Sequence, residues 1–456
     1  MSFDAIIVGA GAAGLAAALR GAKNGARVLL LECSDGSDSD FAKSGGSASA
    51  AGTRMQAEAG VADTPAIWSQ DILRKTGGEI DELVVHTVTT QSSQAIHFLS
   101  QDIGIPIHLM LAIPIVGHQM PRQHATPSEN GREFASLMTA AVARQANVTR
   151  YDGAEVSGLI RREDGVDGVE AIVGGKRQAF HAPATLLACG GFAANRDMLR
   201  QYVPEVVTAR HIGCPANRGS GILWAQAMGA ATSFMNSYQG HGHVTVNGPG
   251  RLGFGLTSLG AILIDRNGNR FVKEDIGPSE LAAYVLAAPG GTAVELYDQD
   301  AHDKGLQLGV YREVVKAGNA VKTDNPNALA AAFNLPPDTL KKTLEDYDRF
   351  ARGQAPDPLN RAQFVKPLNF PLWGALITGA LAHTQGGVNI DARARVLRQD
   401  GQAIPGLLAA GGTVVGISGH GAAGYSSGNG LAQAFTLGMI AADTASAHLN
   451  AVAEAS

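Results

Sequence analysis

The sequence predicts an α/β protein that contains a Rossmann-like, dinucleotide-binding domain. Two observations carry this prediction: the amino terminus runs strand, glycine-rich turn, helix and strand, and glycine supplies 57 of the 456 residues. Average proteins hold about 7% glycine. Here the glycines cluster in strings such as SGGSASAAG and SSGNG, where a backbone can approach another backbone or a large ligand. At roughly 100–200 residues per domain, the length predicts two or three domains.

The amino-terminal segment has the pattern of a nucleotide-binding βαβ unit. An apolar strand over residues 4–8 leads into GAGAAG, a helix follows, and a second strand over 27–31 ends at Glu32. Such a turn lets a pyrophosphate approach the backbone at the amino end of the helix. The Glu32 carboxylate can accept both ribose hydroxyls, which disfavours NADP, while FAD and NAD both stay open. The residues expected at the dinucleotide are Gly9, Gly11, Ala12, Ala13, Gly14 and Glu32.

The later elements alternate between helices and strands, as an α/β fold requires. A Ser/Gly loop over 36–52 is too long for a simple connection and is expected to wrap a ligand. Periodicity and turn residues then predict the following elements in order: helices within 65–103 and 131–145, strands over 148–188, a glycine turn at 189–192, a helix after 219–222, an Asn-Gly hairpin over 259–271, helices over 294–352, a strand over 407–410 and a terminal helix after 428–430.

Charge and cysteine content argue against several classes of protein. The chain has 36 basic and 41 acidic residues and a net charge of −5, so it lacks the basic footprint of a nucleic-acid binder. Three cysteines without CxxC spacing cannot form a disulfide framework. The amino terminus lacks the features of a signal peptide, and no apolar run reaches about 18 residues. We therefore expect no membrane span and a cytoplasmic location.

The order of motifs along the chain resembles that of one flavoprotein superfamily. GAGAAG, the Ser/Gly loop, ACGGF, GSGI, GAILIDRNGNRFVKED, HTQGG, AAGG and SGNGLAQAF follow one another. This series resembles the FAD-dependent fumarate reductase/succinate dehydrogenase flavoproteins, and more narrowly the soluble branch with 3-ketosteroid dehydrogenases and tricarballylate dehydrogenase. The resemblance implies an FAD domain over 1–239 and 367–456 with an inserted α+β cap over 240–366. It also implies an oxidoreductase acting on CH–CH groups, with hydride transfer between substrate Cβ and flavin N5 and a proton moved at Cα.

The same resemblance assigns further positions to FAD. The helix that starts near Asn429 would direct its positive end at the flavin edge that becomes negative on reduction. Gly412 stands where the family has a glutamate, which removes one expected contact. The early Ser/Gly loop has no histidine for covalent attachment, so we predict noncovalent FAD. The additional positions expected at FAD are Ser44, Gly46, Ser47, Gly52, Gly190, Gly191, Gly412, Ser427, Gly428, Asn429 and Leu431.

On the substrate side, two arginines of fumarate reductases have no counterpart. Pro278 stands at the position of the proton-donating arginine, and the run 420–425 lacks the arginine that clamps a substrate carboxylate. Fumarate and succinate are therefore disfavoured as substrates. The resemblance instead places His241, His383 and Tyr425 as catalytic residues and His241, Thr384, Tyr425 and Gly428 as substrate contacts. A tyrosine hydroxyl that polarises a ketone makes the neighbouring α-proton easier to remove. No metal site is expected, since the His241 and His243 pair lacks a third ligand at suitable spacing.

Three functions stay open at this stage. The first is an FAD-dependent α,β-desaturase of a small cyclic ketone or ketoacid, and the second is an ene-reductase that runs the reverse reaction. The third is a flavin-binding protein without catalysis. The sequence holds no haem or iron–sulfur motif, so an external electron acceptor or donor is expected. Asp275, Glu280 and Tyr284 are alternative proton-transfer groups, although loop charges and a buried helix tyrosine explain them equally well.

Overall fold

The computed structural model describes residues 2–111, 117–248, 250–252, 255–307 and 309–455. The chain forms two compact units. The first unit comprises Met1–Val203, Gly213–Tyr238 and His383–Ser456. The second unit comprises Pro204–Ile212 and Gln239–Ala382.

Strands and helices alternate along the chain. The strands are β1 Ala5–Val8, β2 Val28–Glu32, β3 Ala48–Ser49, β4 His108–Leu109, β5 Gln123–Ala125, β6 Val148–Asp152, β7 Glu155–Arg161, β8 Val166–Val173, β9 Lys176–His181, β10 Ala184–Leu187, β11 Arg210–His211, β12 Thr232–Ser233, β13 Tyr238–Thr245, β14 Ile262–Ile264, β15 Thr292–Asp298, β16 Val321–Thr323, β17 Leu372–Thr384, β18 Gly387–Val388, β19 Arg395–Leu397 and β20 Ala403–Ala409. The helices are α1 Ala12–Lys23, α2 Asp40–Lys43, α3 Arg54–Glu58, α4 Pro65–Thr76, α5 Glu82–His97, α6 Gly131–Ala143, α7 Arg196–Tyr202, α8 Ser220–Ala227, α9 Gly255–Ser258, α10 Pro278–Ala287, α11 Gln299–Gly305, α12 Gly309–Lys316, α13 Pro326–Phe333, α14 Pro337–Ala351 and α15 Asn429–Ala455.

The first unit is built on a six-stranded sheet in the order β19-β20-β10-β1-β2-β6. Neighbouring strands from β20 to β6 are parallel, and only β19 pairs antiparallel. β1 and β2 are buried along their whole length, which explains their continuous apolar sequences. β1 pairs with β2 on one side and with the later strand β10 on the other, so the order in which the chain adds strands to the sheet reverses at β1. Ligands of open α/β sheets bind at the carboxyl end of such a strand.

Helix α15 packs closely against α1 in the first unit. A Cβ at Gly438 would lie 3.1 Å from both the Cα and the carbonyl carbon of Ala13, so only glycine allows the two backbones to come this near. The two helices thus lie together on the sheet, and their amino ends carry the two glycine strings GAGAAG and SSGNG. The predicted βαβ start and the predicted terminal helix are both confirmed.

The second unit is a six-stranded sheet with helices on both faces. Its main path is β11-β17-β15-β14, and β13 and β16 also pair with β17. Alternate residues of β14 and β15 enter two different cores, as the two-residue period of a strand requires. One core contains Leu263, Ala293 and Tyr297, and the other contains Ile264 and Leu296.

Two expectations about this unit differ from the structure. The prediction of helices throughout 294–352 is wrong over β15, because a strand that is buried on both faces shows no alternation that would separate it from a buried helix. The second unit also runs to Ala382, beyond the domain boundary expected at 366. The reason is that β17 pairs with β15 over Leu372–Thr378, so this segment belongs to the sheet of the second unit.

Candidate functional site

In the glycine turn after β1, one of the three glycines has room for a Cβ and the other two do not. A Cβ at Gly9, whose φ is +102°, would lie 2.5 Å from the Ala188 carbonyl oxygen. A Cβ at Gly14 would overlap the Gly9 carbonyl oxygen, so α1 packs directly on the turn. At Gly11, by contrast, no other part of the protein lies within 4 Å of a Cβ. The space beside Gly11 is therefore available to a pyrophosphate that approaches the amino end of α1.

Glu32 is held in place at the end of β2. Its Oε2 accepts a hydrogen bond from Ala10 N at 2.7 Å, and its Oε1 accepts from Ser34 N at 2.9 Å and from Ser34 Oγ at 2.8 Å. Cys33 Sγ also donates to Oε1, at 3.4 Å, so the acceptor capacity left for a ribose hydroxyl is on Oε2. Burial and the nearby Glu32 charge raise the pKa of the Cys33 thiol to about 12, which keeps this thiol protonated.

A second glycine turn follows β10. The Gly190 backbone has φ +78°, and a Cβ at Gly412 would lie 3.1 Å from Gly191 N, so the two turns are packed backbone to backbone. Thr384 Oγ1 accepts a hydrogen bond from Phe192 N at 2.9 Å and Thr384 is 1% exposed. This hydroxyl braces the turn, and its assignment to substrate stays a prediction.

The Ser/Gly loop is not a plain connection, since it contains α2 and β3. Ser44 Oγ donates to Phe41 O at 2.8 Å and accepts from Gly46 N at 3.0 Å. Ser44 O also accepts from Gly131 N at 3.1 Å, which ties the loop to the start of α6. Ser47 is half-buried and Gly52 is exposed, with φ +71° at Gly52. No contact in the structure tests the predicted role of these residues at FAD.

The loop before α15 carries an unpaired buried amide. Asn429 is 1% exposed, and neither Oδ1 nor Nδ2 has a hydrogen-bond partner within the described part of the chain. Gly428 has φ +85°, and a Cβ there would lie 2.5 Å from Ser49 Oγ. Leu431 is half-buried in the first turn of the helix. The Asn429 side chain thus offers a buried donor and a buried acceptor at the positive end of a helix. A flavin ring has an edge with hydrogen-bond donors and acceptors that gains negative charge on reduction, so the two fit each other.

His383 lies at the same helix terminus. Its Nδ1 is 3.2 Å from Thr384 O, and because a carbonyl oxygen only accepts, Nδ1 carries the proton. In the neutral ring Nε2 is then a proton acceptor, and it would lie 3.7 Å from a Cβ at Gly430. Tyr425 is half-buried in the preceding loop, three residues before Gly428. The structure thus brings His383 to the SSGNG loop that follows Tyr425.

His241 occupies β13 of the second unit. Its Nδ1 accepts a hydrogen bond from His243 N at 3.3 Å, so the neutral ring carries its proton on Nε2. Burial lowers the pKa of His241 well below its ordinary value, and the charges of His243 and Arg251 lower it further. His241 is therefore a neutral hydrogen-bond donor at Nε2.

Three features were not predicted from the sequence, two in the second unit and one in the first. Glu295 is fully buried and its Oε2 accepts from His243 Nδ1 at 2.8 Å, although Glu295 Oε1 and His243 Nε2 have no partner among the described residues. The signal was available: Glu295 is the acid within the otherwise apolar run AVELY of β15. Arg251, which follows the HGHVT segment, is close enough for its charge to act on His241. A buried network around Arg122 is the third feature.

Two of the three alternative proton-transfer groups bond to backbone N–H groups, and the third is exposed. Asp275 Oδ2 accepts from Ala362 N at 2.7 Å and from Gln363 N at 3.0 Å. Glu280 Oε2 accepts from Gly277 N at 3.0 Å and caps α10. Tyr284 is 51% exposed, so the expectation of a buried helix tyrosine is wrong; α10 turns this residue away from the core that contains Leu281 and Val285.

The described residues offer neither a cluster of metal ligands nor a helix that could span a membrane. Within residues 2–111, 117–248, 250–252, 255–307 and 309–455, no group of three or more His, Cys, Asp or Glu side chains is arranged to hold a metal ion. In the same part of the chain, no helix combines the length and the apolar character that crossing a membrane requires.

Comparison with known proteins identifies the family. The model of the FAD binding domain family matches residues 4–431, and the chain belongs to this family. A probable fumarate reductase, Ifc3 of Shewanella frigidimarina, is 27% identical over 455 residues, which cover 97% of this chain and 74% of the relative. A 3-oxosteroid 1-dehydrogenase of Mycobacterium tuberculosis is 30% identical over 294 residues, which cover 56% of this chain and 51% of that protein. The open form of a flavocytochrome c3 fumarate reductase superposes with a TM-score of 0.84 at 25% identity, covering 98% of this chain and 78% of that one.

The cofactor and the class of reaction follow from the family. The protein binds FAD, as the family model and the flavoprotein relatives establish. It is an FAD-dependent oxidoreductase that acts on CH–CH groups. The open space beside Gly11 and the unpaired amide of Asn429 are both compatible with FAD in the first unit. Noncovalent attachment stays a prediction.

Proposed function

We propose that the protein is an FAD-dependent desaturase that introduces a C=C bond next to the carbonyl of a small cyclic ketone or ketoacid. The observation that carries the proposal is the loop before α15. Residues 415–431 hold no arginine or lysine, and Tyr425 is the ionisable donor that this segment offers besides His420. A neutral hydroxyl suits a ketone oxygen, whereas a dicarboxylate requires cationic partners.

In this proposal each side chain has one task. The Tyr425 hydroxyl donates to the carbonyl oxygen, which stabilises the negative charge that develops there. His383 Nε2, left as an acceptor by the bond from Nδ1 to Thr384 O, takes the proton from Cα. His241 donates from Nε2 to a substrate oxygen and stays neutral.

The electron balance is that of an oxidation by two electrons. When bound, FAD would supply the two-electron acceptor for the hydride that leaves the substrate Cβ. The C–H electron pair at Cα becomes the second bond of the C=C as its proton moves to His383. An external acceptor then removes the electrons, and a small-molecule substrate and this acceptor are the partners that we propose.

One relative and one side chain favour different directions of the reaction. The 3-oxosteroid 1-dehydrogenase is named for oxidation of a ketone-bearing ring, which agrees with desaturation. The second candidate function is an ene-reductase of an unsaturated acid that uses an external electron donor. The observation that favours it is Arg251, whose charge acts on His241 and would attract one carboxylate.

The deciding experiment is an anaerobic absorbance titration of the FAD-loaded protein. Saturated cyclic ketones, ketoacids, monocarboxylates and dicarboxylates are added in turn, and bleaching of the oxidised flavin band is followed. We expect a saturated ketone to bleach the flavin and Tyr425→Phe to slow bleaching by about 10²–10³-fold, the loss measured for an oxyanion donor. Tyr151→Phe, which changes an exposed tyrosine of β6, serves as the matched control.

Other outcomes assign the protein differently. Reoxidation of the dithionite-reduced protein by an unsaturated acid, with loss of this activity in Arg251→Met, supports the reductase. Bleaching by succinate-like diacids contradicts the argument from the missing arginines. If no compound changes the flavin in either direction while FAD is bound, the protein binds flavin without catalysis and the proposal fails.

A further inference from the structure

Arg122 is a fully buried guanidinium at the centre of a charged network in the first unit. Its Nε and Nη2 donate to the two carboxylate oxygens of Asp63, each at 3.0 Å, and its Nη1 donates to Asp71 Oδ2 at 2.6 Å. Asp71 also accepts from Arg74, so two guanidinium groups face two carboxylates. Burial of this much charge costs stability unless each group is paired, and such networks often serve to specify one geometry.

The network ends on His118. Arg122 Nη1 lies 3.1 Å from His118 Nδ1, and because a guanidinium only donates, Nδ1 holds the lone pair and Nε2 holds the proton. His118 Nε2 then donates to the carbonyl oxygen of Ser427 at 2.9 Å. Desolvation inside the protein lowers the pKa of His118 to about 4, which keeps the ring in this neutral form. Arg122 therefore selects the tautomer that binds the Ser427 carbonyl.

The bound carbonyl belongs to the loop that starts α15. Ser49 Oγ also donates to Ser427 O, at 3.3 Å, and Ser49 N donates to the next carbonyl, Gly428 O, at 3.1 Å. Two successive peptide planes are thereby held just before Asn429, the residue with the unpaired buried amide. Two parts of the chain that are distant in sequence, β3 and the segment before β5, converge on this loop.

We propose that Arg122 and His118 are positioning residues for the flavin. By holding the Ser427 and Gly428 peptides, they keep the first N–H groups of α15 directed at the ring edge that becomes negative on reduction. The positive end of a helix stabilises the reduced form more than the oxidised form, so this anchoring raises the reduction potential of the bound flavin. The inference rests on FAD binding and on the predicted placement of Ser427–Gly430 at the flavin. It does not depend on the substrate.

The test compares His118→Phe, which removes the donor, with His118→Gln, whose amide N–H can replace Nε2. The Kd for oxidised FAD is measured by flavin fluorescence, and the midpoint potential of the FAD-loaded protein is measured by anaerobic dye equilibration without substrate. We expect His118→Phe to weaken binding of reduced FAD about tenfold more than binding of oxidised FAD. For a two-electron couple this corresponds to a potential lower by about 30 mV. His118→Gln is expected to keep the wild-type potential.

His124→Phe is the matched control. His124 is a buried histidine of β5, it bonds Thr53 Oγ1 and Arg122 O at 3.0 Å each, and these contacts do not reach the Ser427 carbonyl. An unchanged potential in His118→Phe overturns the proposal. An equal fall in His124→Phe or in His118→Gln overturns it as well, since the effect would then be general destabilisation.

A milder variant keeps the proposal testable if His118→Phe does not fold or does not retain FAD. Ser49→Ala removes the longer bond to the same carbonyl, and we expect about a threefold shift in the ratio of the two FAD affinities, in the same direction. A wild-type ratio in Ser49→Ala, together with failure of His118→Phe to fold, overturns the proposal. Since neither readout uses substrate, failure of the desaturase proposal leaves both results interpretable.

Discussion

Substitutions at two glycines of the amino-terminal turn test the packing of the fold and the binding of FAD separately. Gly14 is enclosed, because a Cβ there would overlap the Gly9 carbonyl oxygen and lie 3.0 Å from the Gly9 carbonyl carbon. Gly11 is open: a Cβ there would have no neighbour within 4 Å beyond the adjacent residues, and its φ of −72° suits any residue. Gly11→Ala and Gly14→Ala therefore add the same methyl group to two opposite environments.

We expect one variant to lose stability and the other to lose affinity for FAD. Gly14→Ala should lower the free energy of unfolding of the apoprotein by about 1–3 kcal/mol, since backbone atoms must move to admit the methyl group. Gly11→Ala should keep that free energy or raise it by about 0.4–1 kcal/mol, because alanine restricts the unfolded chain. Its methyl group fills the approach of the pyrophosphate, so we expect the Kd for FAD to rise by at least about tenfold, or about 1.4 kcal/mol.

Urea unfolding of the apoprotein, followed by circular dichroism, measures the first quantity, and quenching of flavin fluorescence measures the second. Each variant is the control for the other. Wild-type FAD affinity in Gly11→Ala would refute the placement of the pyrophosphate beside this turn. A wild-type urea midpoint in Gly14→Ala would refute the packing argument.

Three further results are expected from buried groups. Glu295→Ala should lower the free energy of unfolding by about 3–5 kcal/mol, because it leaves the buried His243 without its partner. Glu295→Gln keeps an acceptor and should lose less than half of that. Urea midpoints measure both changes. Burial lowers the pKa of His124 to about 4, while the unfolded chain takes up this proton near 6.5. This group's contribution, about 3 kcal/mol above about pH 6.5, is therefore lost as the pH falls to 4. His124→Gln should weaken the fall of the urea midpoint over that window, while His118 and His241, whose pKa values are also lowered by burial, keep part of it. Cys33 is an exposed residue, but desolvation around its sulfur and the charge of Glu32 raise the pKa of the thiol to about 12, so it should react slowly with iodoacetamide. Rapid labelling in a mass-spectrometric time course would contradict this.

The two candidate catalytic histidines differ in tautomer, and this difference separates their tasks. His383 Nδ1 donates a hydrogen bond to a backbone carbonyl oxygen, so Nε2 can accept a proton. His241 accepts at Nδ1 from a backbone N–H, which leaves Nε2 as a donor. Each assignment depends on one backbone contact of an adjacent segment, so neither ring is free to exchange roles. A base and a donor are the pair that α-proton removal beside a carbonyl requires.

Local patterns in the sequence were sufficient to predict the βαβ unit at the start of the first unit. The spacing of Gly9, Gly11, Gly14 and Glu32 predicted the βαβ unit, and the structure confirms this unit with the reason for the third glycine, which is contact between α1 and the turn. The glycine-rich loop before α15 was likewise recognisable. These features depend on residues that are close in the chain, so their physical requirements can be read from spacing alone.

Contacts between distant residues had to come from the tertiary structure. β15 lay within a segment predicted as helical, because burial on both faces hides the period of a strand. The pairing of His243 with Glu295, the charge of Arg251 near His241, and the path from Arg122 through His118 to Ser427 link residues up to 309 positions apart. The sequence by itself determined the α/β class, the family's motif order and the glycine turn of the cofactor site, since each follows from local geometry. What holds the loop before α15 was decided only by the tertiary structure, because the carbonyl of Ser427 reaches His118 from 309 positions away in the chain.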